Sequence, residues 1–521
     1  MMPTTMPARI PLLANGQAVD AQAVPRLTPD EFQQILSDGV TAGARVSAYY
    51  GQALPETPEA VLVTAVLAND AEGCLGVLST VAGESLPSLA EECPSLQLFE
   101  RELCEQFGVV PVGHPWLKPV RYEHPLGGRK AVWDRSPSRP TIPGDTPFFA
   151  VAGEEVHEVA VGPVHAGIIE PGHFRFQCHG EHVFHLEVSL GYQHRAVERM
   201  LLGGPSRRTT VLAESIAGDT VVGNAVASAR ALEGLSGVEA PRRAAVLRAV
   251  ALELERLANH VGDLGALAGD IGFLPTASYC GALRADYLNA LAELCGNRFG
   301  RGLVVPGGVR FDLSAHAAGR LADRLATAFE KVEEAAGLFF QSPSVRNRTD
   351  GTGLLARESA VLVGMVGPAA RASGVAVDVR RSHPFAPYAG STAPAATASS
   401  GDVYARAWLR LEEARHSALL VGEWLRDLPP GELRAALPGL AQDRFPALPP
   451  GKLVISLVEG WRGEICHAVA TDGDGRFARY KVVDPSFHDW MGLQLALRGV
   501  QISDFPLCNK SFNLSYAGHD L

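Results

Sequence analysis

The chain has 521 residues, 46% hydrophobic and 20% charged, with a formal net charge of −11. That length accommodates two or three domains, and an acidic balance of this size argues against a nucleic-acid partner. No stretch approaches the ~18 uncharged apolar residues of a membrane span; the longest clean run, AVLVGMVGPAA from Ala360, is too short, so any membrane association has to come through partners.

The N-terminal MMPTTMPARIPLLANGQAV has no long apolar core and does not read as an export signal. RVSAYYG and AVLVTAVLAN then have the β-branched and aromatic character of strands, and SLAEECPSLQLFERELCEQFG is helical in its second half, closing on Gly108. Residues 1–124 therefore read as a small α/β domain. Residues 125–155, rich in Pro, Gly and charge, read as a linker. From 156 to 521 the text opens with strands and becomes mainly helical. The clearest helix is PRRAAVLRAVALELERLANHVGDLG. Its Val246, Val250, Leu254, Leu257, Val261 and Leu264 recur at steps of three and four, and Pro241 suits its first turn. Further helices are expected over 276–296, 313–340 and 402–427, with a long loop from Pro384 to Gly401. The fold class is α+β: the small domain, then a large helical domain with peripheral strands.

Few local motifs carry chemistry. The eight cysteines include no CxxC pair, so a cluster held by this chain alone is not expected. There is no phosphate loop, and DGTGLL at Asp350 lacks the third glycine of a dinucleotide fingerprint. CHGEHVFHLE gathers His179, His182 and His185, but it reads as a hairpin turning at His179-Gly180-Glu181. His182 and His185 would then face opposite sides of the strand, with no carboxylate or thiol to complete a tetrahedral site. Arg256 and His260 share a helix face and suit either a proton path or, more ordinarily, a solvated or paired face.

Longer motifs carry a family resemblance. GPVHAGIIEPGHFRF…GYQHRAVERML, LELERLANHVGDLG, VPGGVRFDL, RNRTDGTGLL, GPAARASGVAVDVRRSHPF, YKVVDPSFHDWMGLQLALRG and ISDFPL follow in order. They resemble the large subunit of energy-converting [NiFe] hydrogenases of the formate hydrogenlyase and hydrogenase-4 type, and the related quinone-site subunit of respiratory complex I, the NADH-quinone oxidoreductase. ERELCEQFGVVPVGHPWLKPVRYE is similar to the small complex I subunit that is often fused ahead of it.

In the hydrogenases two CxxC motifs hold nickel and iron. Here the first segment reads ESIAGDTVVGN, which sets Ala217 and Thr220 at the ligand positions, Ser215 in place of an Arg and Asn224 in place of a His. The second reads SFNLSYAG, with Ser515 and Gly518 at the ligand positions. Ala and Gly offer no ligand, and two hydroxyls do not replace soft thiolates. The resemblance thus implies no nickel, and a chain ending at Leu521 would leave no extension for a maturation protease. It implies a proton relay at Glu198, whose carboxyl burial would raise, and a polar loop of Asp378, Arg380 and His383 beside the same space. His165 and His173 are the quinone-loop candidates, although the family's partner tyrosine falls near Gly218, which has no hydroxyl. The blander alternative is that these residues pair with one another and hold the fold. The expected geometry brings Ala217, Thr220, Ser515 and Gly518 together within roughly 10 Å, with Glu198 pointing into that space, Arg380 near it, and a final strand tucked over it.

The implied protein is a peripheral subunit on the cytoplasmic face of the cell membrane. Its partners would be an iron–sulfur small subunit, carrying the cluster, and membrane antiporter-like subunits. It would couple electron transfer to proton or ion movement and would not be a hydrogenase by itself. A quinone-binding subunit and a non-catalytic scaffold are the alternatives.

Overall fold

The computed structural model describes residues 10–129, 132–133, 141–167, 169–390, 395–437 and 448–521. The first domain is built on the antiparallel strands Arg45–Ala53, Val61–Asn69 and Cys74–Ala82, with Leu12–Leu13 and Arg26–Leu27 added beside the last of these. The helix Pro29–Thr41 starts on a reciprocal capping box, Thr28 with Glu31, with Pro29 in its first turn. The helix Gln97–Phe107 ends where expected, on a left-handed Gly108 at φ 67°.

The long helices follow the apolar periodicity: Arg242–Ile271, Leu274–Cys295, Ala315–Gln341 and Val403–Arg426. All six stripe residues of Arg242–Ile271 are buried. Its remaining surface is not solvated, however. Arg248, Glu253, Glu255, Arg256, His260 and Asp263 are buried too, so polar or charged groups from other segments must cover them. Of the two ordinary readings of the Arg256–His260 face, the paired one applies.

Strands Lys452–Gly460, Gly463–Thr471 and Phe477–Val483 form an antiparallel sheet that joins the two domains. One face, with Leu453, Ile455, Leu457, Cys466, Ala468 and Ala470, shares a core with the small domain. The alternate residues Val454, Val469, Tyr480 and Val482 pack with Leu232 and Leu235 of the helix Val221–Ser236. An N-terminal arm completes the sheet: Ala18–Asp20 pairs with Lys452–Val454, and Asn15 Nδ2 donates to Leu457 O at 2.9 Å and to His383 O at 2.7 Å.

The described parts of 125–155 contain no helix or strand, and neither do those of the Pro384–Gly401 loop; 130–131, 134–140 and 391–394 lie outside the described residues. The hairpin His173–His179/His182–Ser189 forms as read, but its turn is Gly180-Glu181 alone, His179 pairing with His182 in the strand. A bulge corrects the facing of its histidines. The extra residue lets Val183 and Leu186 both enter the core, so His182 and His185 both stay on the outer side. They go to different neighbours: His182 to Gly499 O, His185 against the Phe149 ring.

Candidate functional site

The two segments that the resemblance sets at the ligand positions lie at the start of Val221–Ser236 and at the end of the described chain. Two arginines pull them together. Arg195 Nη2 donates to Ile216 O at 2.8 Å and to Ala517 O at 3.0 Å, and its Nη1 donates to Ser215 O. Arg462 grips Asp219 with both terminal nitrogens, at 2.6 and 2.7 Å, while its Nε donates to Asn513 O at 2.5 Å. The planar fork of each guanidinium is what lets one side chain bridge two loops.

Each ligand position is occupied or spent. Ala217 is fully buried. Thr220 Oγ1 donates to Asp219 Oδ1 at 3.2 Å and accepts from Trp461 Nε1 at 3.1 Å. Ser515 Oγ accepts from Gly518 N at 2.9 Å and so caps the last helix, Tyr516–Asp520. This terminal element is a helix rather than the expected strand, and Leu521 is buried behind it, its carbonyl accepting from Arg195 N. At Gly518 a Cβ would stand 2.5 Å from the carboxylate of Asp484, so Asp484 fills the space a side chain there would need. Burial raises the Asp484 carboxyl above its usual range, and its Oδ2 has no partner among the described residues. The donor set does not fit a thiolate-held metal pair: no thiol is present and both hydroxyls are committed. The region opens beside Gly218, which is exposed and whose missing side chain leaves free space.

Glu198 is buried, but not as a proton-bearing acid. Its carboxylate takes Arg479 at 2.8 Å, Lys481 at 3.1 Å, the Val482 N–H at 2.9 Å and Gln106 Nε2 at 3.2 Å. Burial alone would push it up; Arg479, Lys481 and Arg121 outweigh burial and hold it well below the usual carboxylate range. The expected upward shift is therefore reversed. The cluster extends through Glu102 to Arg121, whose Nε donates to His519 O at 2.7 Å, next to the terminal helix.

Asp378 and Arg380 pair with each other at 2.6 Å, and Arg380 reaches Glu253 at 3.3 Å. Arg256, His260, Arg371, Glu413 and Glu459 continue this fully buried network; Arg371 bridges Glu413 at 2.7 Å and Glu459 at 2.8 Å. Glu253 accepts from Ser417 and Tyr388, and although burial opposes it, Arg256 and Arg380 hold it at about 2. His383 turns the other way, its Nε2 lying 3.2 Å from Asp70 of the small domain, where Arg45 also pairs. His165 and His173 sit on carbonyls of their own loop, Gly172 O at 2.9 Å and Gly162 O at 3.2 Å. His173 also accepts from Arg175, and burial lowers its pKa.

A protonated acid does lie beneath the first ligand segment. Glu255 is buried and, among the described residues, accepts only from Val222 N at 2.7 Å and Gly223 N at 3.1 Å, and burial raises it to about 8. Sequence reading passed over it, as it passed over Arg195, Arg462 and Asp484. Arg195 stands inside the quoted HRAVER motif and could have been found there; the other two act through partners distant in the chain.

The chain matches the family described as respiratory-chain NADH dehydrogenase, 49 Kd subunit, over residues 270–520, and the 30 Kd subunit family over 44–145. It is 32% identical to a carbon monoxide-induced hydrogenase of Rhodospirillum rubrum, over 68% of this chain and 97% of that protein. It is 27% identical to hydrogenase-4 component G of Escherichia coli, over 86% of this chain and 79% of that one. In fold it is similar to a chain of the membrane-bound sulfane sulfur reductase, an archaeal respiratory membrane complex, with a TM-score of 0.66 at 24% identity, covering 71% of this chain and all of that one.

Proposed function

Because this chain belongs to the family that joins energy-converting hydrogenase large subunits with the 49 Kd component of respiratory NADH dehydrogenase, we propose that it is a nickel-free subunit of a membrane-associated, complex I-like oxidoreductase. What supports its nickel-free part is that Asp484 fills the space at Gly518 while Arg195 and Arg462 tie together the two segments where the resemblance would set the metal ligands. In this reading the chain packs against an iron–sulfur small subunit, lies on the cytoplasmic face of the membrane through antiporter-like partners, and couples electron flow to proton or ion movement. No helix among the described residues is long and apolar enough to cross a membrane.

The buried acids fit that role in a specific way. Glu255 carries a proton at neutral pH and has no cation bonded to it among the described residues, so it can exchange one; Glu198 is locked as an anion and ties the strand Phe477–Val483 to the helices Val197–Leu201 and Gln97–Phe107. A scaffold role is the second reading, and the packing of Asp484 against Gly518 favours it. Quinone reduction has less support, since His165 and His173 are tied to backbone carbonyls and Gly218 offers no hydroxyl.

Purification of the intact complex tests the proposal. The chain should be released from membranes by alkali or chaotrope, co-purify with an iron–sulfur protein, and carry no stoichiometric nickel. Nickel near one atom per chain overturns the nickel-free assignment. A stable monomer with no iron–sulfur partner overturns the complex. Electron transfer assayed in the wild type and in Glu255→Gln separates the two readings: unchanged coupling favours the scaffold.

A further inference from the structure

A cavity of about 490 Å³ lies away from the former metal centre, between the N-terminal arm, the end of the helix Val221–Ser236, the start of Arg242–Ile271 and Phe385. Its volume falls within the range of small-molecule sites, roughly 300–1,000 Å³. Arg230, half-buried, lines it, and its chemistry is unusual for a guanidinium whose Nε is buried. Among the described residues it forms no ion pair. Its one hydrogen bond is from Nη2 to Asn15 O at 3.2 Å, its face lies 4.2 Å from the Phe385 ring centre, and its Nε is buried without a partner. Glu233, which also lines the cavity, is spent elsewhere: it takes both terminal nitrogens of Arg248, at 3.1 and 2.6 Å, and the Gly307 N–H at 2.7 Å.

A second feature points the same way. The 30-residue helix Arg242–Ile271 begins beside the cavity, which Ala240 and Ala245 line. Pro241 gives it no side-chain cap, and its first turn holds no acidic residue. Its free N–H groups and dipole therefore favour an anion at that end. Burial lowers Arg230 to about 10; the Glu233 carboxylate offsets part of that fall and the Arg248 cation adds to it.

We propose that this cavity binds a small organic molecule bearing a single negative charge, a carboxylate or a phosphodiester, with the Arg230 guanidinium as its counter-ion. The cavity is too large for a bare ion, and Phe385, Val226, Val238 and Pro384 supply an apolar wall for an organic body. Glu239 and the end of the helix Val221–Ser236, whose dipole is negative there, disfavour a multiply charged ligand. The site has no share in the former metal centre, so it stands independently of the electron-transfer reading.

The test uses the full-length chain at low ionic strength, titrated calorimetrically with benzoate, inorganic phosphate and the neutral benzamide. Saturable benzoate binding is expected, tighter than phosphate, with none for benzamide. Arg230→Gln should weaken benzoate by roughly tenfold or more, and Arg230→Lys by less. Should Arg230→Gln fail to fold, the wild-type protein is treated with phenylglyoxal and Arg230 is followed by peptide mass spectrometry; benzoate should slow its modification. Phosphate binding without benzoate binding overturns the organic ligand. Benzamide as tight as benzoate, benzoate affinity unchanged in Arg230→Gln, or unprotected Arg230 overturns the site.

Discussion

Glu198→Gln separates a structural clamp from a proton relay. The substitution keeps the shape and an acceptor for the Val482 N–H but removes the charge that Arg479 and Lys481 share. All three side chains are buried, and removing one partner from a buried ion pair costs about 3–5 kcal/mol. Three residual contacts moderate this: Arg479 keeps Gln106 Oε1 at 2.8 Å and Gly51 O at 2.9 Å, and Lys481 keeps Glu102 at 2.5 Å. The expected loss is thus at the low end, about 3 kcal/mol at pH 7. The pH dependence has a definite sign. The folded carboxyl titrates below its unfolded value of about 4.3, so its contribution is fully present above that pH and is lost as pH falls through the folded value. Urea unfolding of wild type and variant from pH 8 to 4 should show a constant gap that begins to close at the acid end. A gap below about 1 kcal/mol at pH 7, or one that widens toward acid, refutes the clamp.

Gly518→Cys should lower the melting temperature by several degrees, because overpacking costs about 1–3 kcal/mol; Asp484→Ser, which withdraws the carboxylate but keeps a helix cap, should recover part of that loss in the double variant. Arg462→Met leaves the half-exposed Asp219 without its cation and frees Asn513 O, so hydrogen exchange over 513–521 should rise and stability fall by about 1 kcal/mol; unchanged exchange there contradicts the clamp. Glu255 titrates higher folded than unfolded, so it costs stability as pH rises from about 4.3 toward 8, and Glu255→Gln should flatten that slope. The infrared band of a buried protonated carboxyl at pH 7 should vanish in the same variant.

Leu274–Cys295, Ala315–Gln341 and Val403–Arg426 were legible to within about two residues at either end, because apolar periodicity and end signals such as the left-handed Gly296 are local. Arg242–Ile271 runs on past its quoted motif, to a left-handed Gly272. What periodicity could not show was the other side of that helix. A charged residue reads as solvated unless its partner is known, and Glu413 and Glu459 lie 153 or more residues further along. The resemblance set Ala217, Thr220, Ser515 and Gly518 at the ligand positions from motif alone. What fills the space at Gly518 was not legible, because Asp484 meets it by tertiary packing alone. Glu198 is buried, as expected of it. Its direction of shift was missed because the sign is set by two cations on a strand about 280 residues away.

The arm residues Ala18–Asp20 have a further consequence for biosynthesis. Lys452 pairs with Asp20 across 432 positions of chain. At about 5–20 residues per second, a ribosome needs roughly 20–90 s to make the intervening sequence. Throughout that interval the arm has no strand to join, and the wall it gives the Arg230 cavity is absent. Closure of the inter-domain sheet is therefore a late event, and a chain stalled before residue 452 would present Asn15–Asp20 to solvent and to chaperones.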